Sequence, residues 1–141
     1  MPEVSFIWKY EDPNSTIADS LPNVRLSAWV PQIPLLRDGR LSAFLTHGGI
    51  GSTNEVAYIG KPTIVVGDEQ IRITHSSQVP IFGDQMRNAN MLAQHGGALV
   101  LDKTDLGDAK KLRNAFGEVI ENDRFVGKLD KITTYLILLS E

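Results

Sequence analysis

Apolar and polar positions along the chain switch repeatedly between a period of two and a period near 3.6. Residues 4–8 form a short β-type run, closed by the turn-rich Glu11, Asp12, Pro13, Asn14 and Ser15. A second extended segment is expected over residues 24–30, after Leu21, Pro22 and Asn23. Residues 31–37 predict a brief helix with Pro31 in its first turn, kept short by Pro34. Residues 41–46 predict a third strand, followed by a glycine-rich turn from His47 to Ser52. A helix is expected over 52–59, with Gly60 as its stop. Residues 63–66 are apolar and β-branched, as a buried parallel strand should be. Residues 84–95 read as a helix whose inner face is drawn from Met86, Ala89, Asn90, Met91, Leu92 and Ala93, and Gly96 and Gly97 stop it. Residues 98–101 predict a fifth strand. Thr104 or Asp105 is expected to cap a helix reaching about Asn122, with Leu106, Ala109, Leu112, Phe116, Val119 and Ile120 near helical spacing. The apolar end of the tail, residues 135–139, is expected as a terminal helix, packed or exposed.

Strands and helices in alternation imply βαβ units, so the expected fold is a doubly wound α/β domain with a parallel, Rossmann-like sheet. In such sheets ligands bind outside the carboxyl ends of the strands. Composition narrows this picture only by exclusion. The 141 residues suffice for one domain with a core, and 42% hydrophobic with 22% charged residues excludes a broadly disordered chain. A net charge of −3 gives no general pull toward nucleic acid. Without cysteine, disulfides, thiolate zinc sites and cysteine nucleophiles are excluded. No run approaches the roughly 20 apolar residues of a membrane span, and residues 1–10 lack the features of a signal peptide.

The stretch that suggests chemistry runs from Phe44 to Glu55. Two consecutive glycines after a strand let the backbone approach a bound group, and the following helix offers N–H donors and a positive dipole end suited to a phosphate or diphosphate. His47 can add a ring N–H, and Glu55, one turn into the helix, suits a diol such as a ribose. The pattern is neither a Walker A loop nor Gly-x-Gly-x-x-Gly nor the Gly-x-Ser-x-Gly of hydrolases. By spacing alone, a glycine turn with a capping serine and a solvated glutamate explains the same letters equally well. Trp29 with Gln32 reads as a core aromatic beside a surface amide, and Asp84 with Gln85 as a helix start. His75 and His95 have no partners at metal-ligand spacing and read as surface residues, so no metal site is expected. Asn14, Ser15 and Thr16 form a glycosylation triplet that matters only in a secretory setting.

Taken together, these pieces resemble one family. Trp29-Val30-Pro31-Gln32, Phe44-Leu45-Thr46-His47-Gly48-Gly49, Ser52, Glu55, Gly60-Lys61-Pro62 and Pro80-Ile81-Phe82-Gly83-Asp84-Gln85 with Asn88-Ala89 resemble the signature of the UDP-glycosyltransferases, in the animal UDP-glucuronosyltransferase branch. The likeness spans about residues 29–97. It implies a partial C-terminal, donor-binding domain of a two-domain GT-B fold over residues 1–122, with an atypical tail over 123–141. By this resemblance Trp29 stacks on uracil and Gln32 bonds to the base or ribose. Thr46, His47, Gly48, Gly49 and Ser52 surround the diphosphate, Glu55 takes the ribose hydroxyls, and Asp84 and Gln85 take those of the sugar.

The resemblance also fixes what is not expected. The family's catalytic base is a histidine in an acceptor domain, so no catalytic residue is assigned here. The opening βα unit of the donor domain is absent by the same alignment. About thirteen residues, 67–79, intervene where the family joins strand to helix tightly; they read as an insert, of translated non-coding origin, that either loops outward or displaces Asp84 and Gln85. The expected donor is UDP-glucuronic acid or UDP-glucose, with no other cofactor. The expected reaction of the complete enzyme is inverting sugar transfer to a hydroxyl of a small lipophilic acceptor. A second reading is an inactive truncated or mis-spliced product that binds UDP or associates with a full-length relative. The branch works at the endoplasmic reticulum membrane; this chain by itself, without signal or anchor, is expected to be soluble.

Overall fold

The computed structural model describes residues 1–12, 14–67 and 83–122, and the backbone of a strand at 134–139. The elements are β1 (Val4–Lys9), β2 (Val24–Ser27), α1 (Gln32–Arg37), β3 (Leu41–Thr46), α2 (Ile50–Ile59), β4 (Thr63–Gly67), α3 (Gly83–Gln94), β5 (Ala98–Asp102), α4 (Ala109–Glu121) and β6 (Thr134–Leu139). Short 3-10 helices stand at Thr16–Ala18 and Lys103–Gly107. All six strands join one sheet in the order β2-β1-β6-β3-β4-β5, and every pairing is parallel. This is the doubly wound α/β fold expected from the alternating pattern.

The strand pleat sends successive side chains to opposite faces, which builds two cores. On one face Leu36, Phe44, Val56, Val65, Ala89 and Leu92 pack together, from α1, β3, α2, β4 and α3. On the other, Ala43, Leu45 and Ile64 meet Ala115, Phe116 and Val119 of α4, with Val4 of β1. Phe44 and Leu45 are neighbours in sequence and belong to different cores, as a strand buried on both faces requires. Lys61, buried between α2 and β4, ties two elements: its ammonium donates to the carbonyls of Asp38 and Leu41 at 3.0 and 2.8 Å. Burial pushes the Lys61 amine below its ordinary pKa, with Asp38 opposing the shift.

Strand β2 ends at Ser27, short of the expected residue 30, and α2 starts at Ile50, ahead of the expected Ser52; two further elements differ in kind or in their start. The helix expected from Thr104 or Asp105 begins instead at Ala109. Asp102 and Asp105 close a capping box on the 3-10 turn, and the Asp108 carboxylate then accepts from the N–H groups of Lys110 and Lys111 to start α4. The tail segment expected as a helix contains strand β6. Six uncharged residues that include Tyr135 and Ile137 have high β propensity. Their backbone hydrogen bonds go to β1 on one side and β3 on the other. Of the insert reading at 67–79, Gly67 is the last residue of β4; the remainder lies outside the described residues, as does His75.

Candidate functional site

The site is built where β3 ends. Thr46, fully buried, points its hydroxyl oxygen at the Gly48 N–H across 3.3 Å and so bends the chain out of the strand. Gly48 has φ +83°, a left-handed conformation that disfavours any side chain. A Cβ there would also lie 2.8 Å from Val65 Cγ1 and 3.2 Å from the Gln85 carbonyl oxygen. At Gly49 a Cβ would fall 2.8 Å from His47 Nε2, so the imidazole folds back over the bend and would have to shift to admit a side chain there.

Helix α2 then starts with Gly49 as its N-cap. The serine expected to cap it, Ser52, is inside the helix instead, and a glycine N-cap brings no side chain to the end of the helix. The first intrahelical bond runs from the Thr53 N–H to the Gly49 carbonyl at 2.9 Å, so the N–H groups of Ile50, Gly51 and Ser52 precede it and have no intrahelical acceptor. Ten residues of helix place their positive dipole end at this point, and no acidic side chain stands in the first turn. The arrangement is suited to an anion.

Two side chains that sequence reasoning left out of the site hold the bend in place. The Thr53 hydroxyl lies 3.2 and 3.0 Å from the Gly48 and Gly49 carbonyls and shares its proton between them. Asn88 of α3, buried, donates its amide to the Gly48 carbonyl at 3.4 Å. The available signal was polar residues at inward helical positions, which is too common a pattern to single them out. These bonds turn the carbonyls of the glycine pair into the protein.

Three of the sequence-selected residues meet directly. The Gln32 side-chain amide donates to Ser52 Oγ at 3.1 Å and to Glu55 Oε2 at 2.7 Å, joining the start of α1 to the first turns of α2. A carboxylate has capacity for further hydrogen bonds beyond the one from Gln32. Trp29 stands in the loop three residues ahead of Gln32 and is 72% exposed, rather than in the core. Ser27 Oγ donates to the Trp29 carbonyl at 2.6 Å and fixes the loop backbone. Gln85, half-buried in the first turn of α3, brings its main-chain carbonyl against Gly48. Asp84 belongs to the same turn of backbone, and its side chain is outside the described residues. His95 is exposed at the far end of α3.

A cavity of about 730 Å³ opens elsewhere, along β1 and β2, lined among others by Phe6, Asp19, Asn23 and Arg25. Among the described side chains, none of the selected residues borders it. The chemistry converges instead on the β3–α2 bend, where helix dipole, N–H donors, a histidine and a carboxylate lie together. Among the described residues, no group of three or more His, Cys, Asp or Glu is placed to hold a metal ion. No helix among them is long and apolar enough to cross a membrane.

Comparison with known proteins agrees with the fold and the motif. The family model described as UDP-glucoronosyl and UDP-glucosyl transferase matches residues 2–134. UDP-glucuronosyltransferase 2B17 of Mus musculus is 33% identical over 116 residues, covering 82% of this chain and 19% of that protein. The crystal structure of the glycotransferase of kitacinnamycin superposes with a TM-score of 0.59 at 27% identity, over 81% of this chain and 26% of that one. The spinosyn forosaminyltransferase SpnP superposes at 0.60 with 20% identity, over 86% and 27% of the respective chains. These structural neighbours have the GT-B fold. The chain spans about a fifth of the length of the curated relatives it matches.

Proposed function

This chain belongs to the UDP-glucoronosyl and UDP-glucosyl transferase family, and we propose that its β3–α2 bend binds the diphosphate of a UDP-sugar. The observation that carries this reading is the uncapped start of α2 beneath a glycine pair whose carbonyls are turned inward by Thr53 and Asn88. That geometry leaves N–H donors for phosphate oxygens. His47, folded over Gly49, adds a ring donor. Glu55, oriented by Gln32, takes the ribose hydroxyls, and the exposed Trp29 indole offers a face on which uracil stacks. Asp84 and Gln85, beside the bend, take the sugar, which we assign to glucuronic acid or glucose.

In the complete enzyme the acceptor hydroxyl attacks the anomeric carbon, the bond from that carbon to the diphosphate oxygen breaks, and UDP leaves. A base in the acceptor-binding part receives the hydroxyl proton. This domain's contribution is electrostatic. Negative charge grows on the diphosphate as the bond breaks, and fixed donors stabilise that charge more than they stabilise the bound sugar nucleotide.

Calorimetric titration of the chain with UDP tests this reading. Binding is expected, weakened at least about tenfold, or about 1.4 kcal/mol, by His47→Ala and by Glu55→Ala. Tyr58→Ala, on the same helix but 84% exposed, is expected to bind like the parent. Absent binding, or equal binding by all variants, would overturn the site. Sugar transfer to a phenolic acceptor by the chain alone would overturn the assignment of the base to another part of the enzyme.

A further inference from the structure

Strand β6 holds an unusual place. Counting the strands in the sequence β6, β1, β2, β3, β4, β5 turns the observed order β2-β1-β6-β3-β4-β5 into 3-2-1-4-5-6. That is the strand order of the dinucleotide-binding α/β sheet, in which position one is central and ordinarily opens the fold. Here the central position is filled by the last strand in the chain. The family match ends at residue 134, the first residue of β6, so the rest of the strand comes from sequence that the match does not cover. Among the described strands, the remainder of the sheet, β2-β1 and β3-β4-β5, consists of two blocks that pair with each other only through β6.

The slot between β1 and β3 therefore behaves as an acceptor for one extended segment. Its walls are main-chain groups of β1 and β3, both read in parallel: Val4 to Lys9 register with Thr134 to Leu139, and Leu41 to Leu45 with Tyr135 to Leu138, with a register shift between Leu41 and Ala43. Such walls recognise backbone direction and β propensity more than side-chain identity. Thr134 to Leu139 supplies an uncharged run without proline or glycine, the chemistry of segments that pair readily with any open edge.

We infer that β6 is an exchangeable strand, and that a second copy of this chain supplies it reciprocally to form a two-fold dimer. Every backbone pair that β6 makes within one chain is made identically when it comes from another, so concentration decides between the two arrangements. If β6 leaves without a replacement, two strand edges lose their partners at once. The exchange also reaches the candidate site, because the strand order reverses between β6 and β3, and Leu138 of β6 registers with Leu45, two residues before His47. In the dimer each glycine bend is flanked by the other copy's strand. This inference does not depend on UDP binding.

The absence of cysteine makes the test direct. Ser5 and Tyr135 are register partners, and Cα atoms on neighbouring strands lie within disulfide range. Ser5→Cys and Tyr135→Cys chains, mixed and refolded together at high concentration under oxidising conditions, are expected to yield a cross-linked heterodimer. The off-register mixture of Ser5→Cys with Leu138→Cys is expected to yield far less. The unmodified chain should show a dimer that dissociates on dilution by light scattering. The double variant Ser5→Cys/Tyr135→Cys, oxidised within one chain, should stay monomeric. The exchange is overturned by equal cross-linking of both mixtures, by a chain that is monomeric at every concentration, or by a locked double variant that still dimerises. Nucleotide titration of the same samples reads the proposed UDP site separately.

Discussion

Strands β3 and β4 are buried on both faces, whereas β1 keeps one buried residue, Val4, and β2 keeps none. Helices explain the contrast. On one side of β3, β4 and β5 lie α1, α2 and α3, and on the other lies α4; among the described residues, the connection from β1 to β2 supplies only the 3-10 turn Thr16–Ala18. The candidate site grows from the doubly covered half. Close packing there leaves no room for a side chain at Gly48, while the thin half rests mainly on strand pairing.

The largest effect that separates the halves is expected from removing one ring in each. Phe44 is fully buried between helices, so Phe44→Ala should cost about 3–5 kcal/mol in urea unfolding. Phe6 is half-buried and meets Phe116 edge-to-face at 5.9 Å. Phe6→Ala should cost about 1–2 kcal/mol, since less surface is lost and solvent can enter the gap. Equal costs would mean that both halves are packed alike.

A pair of glycines refines the comparison within the covered half. Gly48 and Gly60 both have positive φ, +83° and +77°. At Gly60 a Cβ meets nothing within 4 Å, whereas at Gly48 it meets Val65 and the Gln85 carbonyl. Gly60→Ala should therefore cost about 1 kcal/mol, the backbone strain alone. Gly48→Ala adds a steric clash with a core strand, about 2–4 kcal/mol in total, and should also lower UDP affinity. If Gly48→Ala binds UDP like the parent, the bend is not the diphosphate cradle.

Much of this was legible from the letters. Residues 63–66 announced a buried strand through an apolar, β-branched run, residues 41–46 read as a strand ahead of the glycine-rich turn, and the histidine with two glycines marked the bend. What escaped was decided by partners distant in sequence. Residues 135–139 are too short for their period to distinguish strand from helix, and only the slot between β1 and β3 settles it. Asp108 takes over from Thr104 and Asp105 as the cap of α4 because Asp102 and Asp105 have already closed a separate turn. Ser52 loses the capping role because the helix begins two residues earlier, at Ile50, where the left-handed Gly48 has already turned the chain.

Lys61 gives a smaller effect, of the kind that only a buried charge produces. Lys61→Met removes that charge but leaves the Asp38 and Leu41 carbonyls without their donor, for a net loss of about 1–2 kcal/mol. Its pH signature is more specific. With the amine pushed down in the folded chain, the unfolded chain holds that proton more tightly. Stability should therefore rise with pH in the window between the lowered value and 10.5. This rise should vanish in Lys61→Met, measured by urea midpoints across alkaline pH.

The smallest effect comes from the exposed rim, where charge pairs stand in water instead of in the core. Arg40 donates to both oxygens of Asp38, 2.6 Å at the shortest, and holds that carboxyl down to about 2 from 3.8. Lys111 lowers Asp105 in the same direction, and its own amine is raised. A carboxyl depressed by folding stabilises the chain above its unfolded value, and that contribution fades as pH falls through the folded one. Urea midpoints should thus decline gently between about pH 4 and pH 2, and Asp38→Asn should flatten part of the decline. Because solvent and salt screen such pairs, the Asp38→Asn difference should shrink further in 0.5 M salt. A difference that salt leaves unchanged would overturn the reading of this pair as a screened surface charge, since Asn retains an oxygen that can accept from the Arg40 backbone N–H.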